Sequence, residues 1–144
     1  MHLYTTDAAE VSSAIKNGAM HLEQVACYVN NTQVSDTIPL HRLYNKDSGD
    51  YFYTDNPNDA LAAIANDGYK EEGVACYVYS YKKNNTVELY RRFNKTSGEH
   101  FYTVSDAEAK AVLNEGFTDE GVACYVFTPG QAPGDTVPLY RLMT

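Results

Sequence analysis

The chain has 144 residues, 44% of them hydrophobic and 21% charged, and a net charge of −8. This size suits a single domain with its own core. The acidic balance argues against nucleic acid and anionic membranes as partners, since both call for basic patches, and no apolar run approaches the roughly 20 residues that span a bilayer.

Met1–Thr5 reads as a short strand. Asp7 and Glu10 then form a helix cap, with Gly18 as the stop. Val25–Val29, Val-Ala-Cys-Tyr-Val, is an apolar strand. A polar loop over 30–39 leads to a second strand beginning Leu40-His41-Arg42-Leu43-Tyr44-Asn45. Ser48-Gly49 turns the chain into Asp50–Thr54, the return strand of a hairpin, and Asn56-Pro57 opens a helix with proline where it is tolerated. After Gly68 and Glu72-Gly73 the same pentapeptide returns at Val74–Val78.

The pattern then repeats. Leu89–Phe93 is a strand, Asn94–Gly98 a turn and Glu99–Thr103 the return strand. Ser105 and Glu108 have capping-box spacing, Ala109, Val112 and Leu113 give helical periodicity, and Gly116 ends the helix. The pentapeptide recurs at Val122–Val126, so its starts lie 49 and then 48 residues apart. The chain begins in mid-motif, and the missing opening strand is found at Leu139–Met143. The expected fold is therefore α+β: a closed pseudo-threefold ring of three strand-strand-helix-strand repeats, with the C-terminal strand completing the first. The repeats are 139–144 plus 1–38, 39–87 and 88–138, in one domain. A β-trefoil is the alternative, disfavoured by a helix in every unit.

Cys27, Cys76 and Cys124 sit at equivalent positions among valines and read as small buried hydrophobes. Three thiols and no leader peptide fit a cytoplasmic protein, or one released by a non-classical route. No cofactor or metal is called for: a three-thiolate site has apolar neighbours, and Asp47 and Asp55 lack calcium-loop spacing.

Nucleotide-loop, zincin and hydrolase signatures are absent, which argues against an enzyme. The polar residues that recur are Arg42, Arg91 and Arg141; Asn45 and Asn94; Asp50 and Glu99; His2, Tyr51 and His100; and Glu23, Glu72 and Glu120. Fork donors, amides, carboxylates and flat rings are the groups that a sugar's hydroxyls and C–H face require. Each set also has a structural reading. The arginines and glutamates can pair with one another, and the asparagines and the Asp50/Glu99 pair can hold hairpin turns. Tyr4, Tyr53 and Tyr102 suit core packing.

The pattern Leu-Tyr-Arg-x-Phe-Asn, Ser-Gly-x-His-Phe-Tyr-Thr and Glu-Gly-Val-Ala-Cys-Tyr-Val resembles a repeat family of unknown biochemical function, whose copies occur in bacterial and fungal proteins, often appended to secreted hydrolases. Size, repetition and the missing leader also resemble the small fruiting-body lectins of mushrooms. That second resemblance implies binding of galactose or N-acetylgalactosamine. The expectation is a multivalent carbohydrate-binding protein without catalysis. Its partners would be glycans or glycoproteins, with no nucleic acid and no membrane insertion, and with room for a homodimer. The alternative is a protein-interaction or cell-wall-anchoring module that binds no sugar.

Overall fold

A computed structural model describes all 144 residues. Nine strands and three helices follow one another as three similar units. The strands are β1 (His2–Thr5), β2 (His21–Val29), β3 (Ile38–Asn45), β4 (Asp50–Thr54), β5 (Lys70–Val78), β6 (Val87–Asn94), β7 (Glu99–Thr103), β8 (Phe117–Val126) and β9 (Val137–Met143). The helices are α1 (Ala8–Lys16), α2 (Pro57–Asn66) and α3 (Asp106–Ala111). They form three antiparallel three-stranded sheets, ordered β1-β9-β2, β4-β3-β5 and β7-β6-β8. The fold is thus α+β and consistent with a threefold repeat. A helix in each unit sets it apart from the trefoil alternative.

The C-terminal strand occupies the centre of the first sheet. Leu3 lies opposite Leu142 and Tyr4 opposite Arg141 on one side of β9, while Val25 faces Tyr140 on the other. The three long strands also meet pairwise at their ends, through bridges Tyr28–Phe127, Asn30–Tyr77 and Tyr79–Tyr125.

β1, β4 and β7 are edge strands, whose outward N–H and C=O groups need partners once buried. Tyrosine hydroxyls supply them. Tyr4 Oη accepts from the Tyr102 N–H at 2.8 Å and donates to its carbonyl at 2.9 Å. Tyr102 Oη does the same for Tyr53, at 2.7 and 3.0 Å, and Tyr53 Oη for Tyr4, at 2.8 Å each. The three rings meet edge-on, with centroids 5.3–5.4 Å apart. They belong to a core of 13 buried residues drawn from all three units, which also includes Cys27, Cys76, Cys124, Leu40, Leu89 and Leu139. The cysteines are free thiols in that apolar packing, as their alternation with valine implies.

The last strand of each unit starts earlier than the pentapeptide suggests, at His21, Lys70 and Phe117. The central strand needs a partner along its whole length, and bulges absorb the mismatch. Gly73 (φ 105°) and Gly121 (φ 82°) sit at two of them, where a residue without Cβ adopts positive φ freely. The third helix is also shorter than the periodicity predicts: after Ala111 it tightens to a 3₁₀ turn, Val112–Glu115, before Gly116 ends it at φ 91°.

Candidate functional site

Asp7, Asn56 and Ser105 cap their helices, each accepting a first-turn backbone N–H. The residue three positions on is Glu10, Asp59 or Glu108. The capping-box expectation is corrected here. Glu108 does not reach back to Ser105; its carboxylate faces the neighbouring unit, and so does that of Glu10. Arg42 donates through Nη1 and Nη2 to Glu10 at 2.9 Å each, and through Nε to Glu72 at 3.0 Å. Arg141 repeats this with Glu108 at 2.9 and 3.0 Å, and with Glu23 at 2.9 Å. Each of these arginines therefore ties its own unit's glutamate to the helix of the preceding unit. Arg42 holds Glu10 below the usual carboxylate range. Burial works the other way at Glu108, yet Arg141 and the Thr103 hydroxyl hold it down too.

Arg91 breaks the pattern. Its Nε donates to Glu120 at 2.9 Å, but its Nη atoms have no protein partner. The equivalent helix acid is Asp59, one methylene shorter and exposed, and it forms no ion pair. The guanidinium lies over the Phe52 ring, 5.1 Å from its centroid.

The ring residues His2, Tyr51 and His100 lie at the same interfaces. His100 is buried, and its Nδ1 meets Asp50 Oδ2 at 2.6 Å while Nε2 lies 3.5 Å from Glu120. Burial opposes the imidazolium, but the two carboxylates outweigh it and raise the His100 pKa. His2 is held the same way between Glu99 of the third unit and Glu23 of its own. The position matching Asp50 and Glu99 in the first unit is Met1, so the ring residue of the second unit has no acid from its neighbour, and Tyr51 stands there instead of histidine. Tyr51 packs on Tyr44, with the Arg42 guanidinium 5.4 Å from its ring centroid.

Two grooves lie between units. One, of about 450 Å³ between the second and third, gathers Asn45, Arg91, His100 and Glu120 with three aromatic residues, Phe52, Tyr69 and Phe93. Asp59 and Asp67 also line it. The other, of about 690 Å³ between the first and second, contains Arg42 and Glu72 beside Glu10 and Tyr77. The remaining candidates are placed elsewhere. Arg141, Glu23, His2 and Glu99 form a linked set of ion pairs between the first and third units. Asp50 is buried, and its carboxylate accepts the His100 N–H, the His100 ring and the Tyr69 hydroxyl. Asn94 accepts the N–H groups of Thr96 and Ser97 in its hairpin turn. Asn45 serves its own turn and donates to the Asp67 carbonyl at 2.9 Å.

Sequence reasoning missed Glu10 and Glu108 as partners of Arg42 and Arg141, and Asp59 as the equivalent acid left unpaired. Their alignment at one helix position was the available signal. No group of three or more His, Cys, Asp or Glu side chains is arranged to hold a metal ion, and no helix is long and apolar enough to cross a membrane.

A family model described as a domain of unknown function, DUF5648, matches residues 1–127 and again 84–144. The chain belongs to this family. The two DUF5648 matches share residues 84–127. Neither the curated proteins nor the solved structures contain a match.

Proposed function

We propose that this DUF5648 protein closes into a pseudo-threefold ring and acts as a carbohydrate-binding protein without catalysis, of galactose or N-acetylgalactosamine type. Support for closure comes from the cyclic tyrosine bonds and the pairwise strand bridges. The observation that carries the binding reading is the groove between the second and third units. Its volume falls in the range of small-ligand sites. Its lining combines a fork donor, an amide, carboxylates and aromatic residues, the set that a pyranose with hydroxyl edges and a C–H face requires.

The groove between the first and second units offers a second, differently furnished position. Two sites on one chain make binding multivalent, and avidity on a sugar-dense surface then rises by roughly 10²–10⁴. A broad glycan array, followed by haemagglutination with free-sugar inhibition, tests the proposal. Sugar-inhibited binding supports it; silence across all neutral and acidic glycan classes removes it.

A second reading, a protein-interaction or wall-anchoring module, is favoured by the helices. Ile15, Ile64 and Leu113 occupy equivalent helical positions and are 45%, 42% and 40% exposed. A stoichiometric protein partner, lost when these three are changed to serine and accompanied by silent arrays, would support that reading.

A further inference from the structure

We infer that the ligand position in the groove between the second and third units is the gap between Arg91 and Asp59, and that its ligand is a neutral sugar presenting adjacent hydroxyls to both. This rests on the carbohydrate-binding reading and assigns its site. At the other two interfaces the arginine fork closes directly on a glutamate. At this one the acid is shorter by one methylene, and the ion pair does not form. Arg91 Nη atoms are left as donors and Asp59 as an acceptor, both lining the same groove. A hydroxyl group can accept from the first and donate to the second, which neither a carboxylate nor an ammonium can do.

The fork is already oriented. Glu120 holds Nε, and the Phe52 ring lies against the guanidinium plane. Little freedom is lost on binding, so the contact acts with a pre-set donor geometry. Phe93 and Tyr69, both half-buried, provide apolar area for the sugar's C–H face in the same groove.

Charge selects against anions. Three carboxylates, Asp59, Asp67 and Glu120, line the groove, against Arg91 and His100 as the basic residues. A uronate or sialate would meet this acidic excess, while a neutral sugar would not.

The test titrates galactose and N-acetylgalactosamine into wild type, Asp59→Glu and Asp59→Ala, with an array carrying neutral, uronate and sialylated glycans. Asp59→Glu restores the ion pair of the other interfaces, so it should raise or keep the melting temperature while filling the gap. Asp59→Ala removes the acceptor at an exposed position. Both should weaken neutral-sugar binding by about 10- to 100-fold, the worth of a hydrogen bond to a charged group. Neutral-sugar binding unchanged in either variant overturns the Arg91–Asp59 site and leaves the carbohydrate reading standing. Binding confined to uronate or sialylated glycans overturns the neutral-ligand assignment. A wild type that binds no sugar overturns the carbohydrate reading, and this inference with it.

Discussion

Asp50 of the second unit takes both the backbone N–H and the ring Nδ1 of His100 in the third, at 2.7 and 2.6 Å. The carboxylate is buried, so this contact belongs to the interface between units. It also accounts for the variation among His2, Tyr51 and His100. Histidine stands wherever the neighbouring unit supplies an acid, and tyrosine where it supplies Met1.

The pH dependence of stability follows from this pair. The His100 pKa is raised in the folded protein, so its contribution is fully present below the unfolded value near 6.5 and is lost as pH rises through the folded value. Glu120 is lowered by His100 and Arg91; its contribution is present above 4.5 and is lost as pH falls through its folded value. Stability should therefore peak between these limits. His100→Gln should flatten the alkaline side in thermal melts across pH 5–9. Parallel curves for the two proteins would refute the assignment.

Glu10→Gln and Glu108→Gln should each cost about 1–2 kcal/mol in denaturant unfolding, because each removes a bidentate pair that is charge-assisted but about one-third exposed. Asp59→Asn at the equivalent helix position has no such pair to lose, and should stay within about 0.5 kcal/mol. Equal costs at all three positions would remove the asymmetry on which the ligand gap depends.

Each of Tyr4→Phe, Tyr53→Phe and Tyr102→Phe strips a buried edge strand of one donor and one acceptor. The expected loss is about 2–4 kcal/mol per substitution, since two bonds go and the orphaned backbone groups stay dry. A loss below about 0.5 kcal/mol, read by chemical denaturation, would mean that water replaces the hydroxyl.

The three cysteines should be silent to a thiol reagent in the native state and react fully in denaturant. Each thiol is buried, and burial pushes its pKa well up, so little thiolate forms at neutral pH. Fast native labelling of any one would show that the core opens locally.

The period of the pentapeptide made the three units readable, and the match of Leu139–Met143 to Leu89–Phe93 placed the last strand. Helix caps and glycine stops were legible too, because a side-chain oxygen or a positive φ is a local requirement. The partners of the arginines were not. Glu10 looked like part of a cap because its spacing from Asp7 suits one, and nothing local says that its carboxylate turns outward to another unit. Asp50 beside a hairpin turn likewise gave no sign that a histidine 50 residues on would use both its oxygens. The strand starts at Lys70 and Phe117 depend on the length of the central strand, which residues in the bulge do not encode.

With β9 at the middle of the first sheet, β1 and β2 have no strand between them until Val137–Met143 leave the ribosome. The second and third units hold all their strands before that point. Leu3 must then wait for Leu142, almost the entire sequence away, and so large a loop closes late and slowly. Until it does, β1 and β2 each lack the partner that covers their backbone, and during this interval the nascent protein is most exposed to pairing with a stray strand from another molecule.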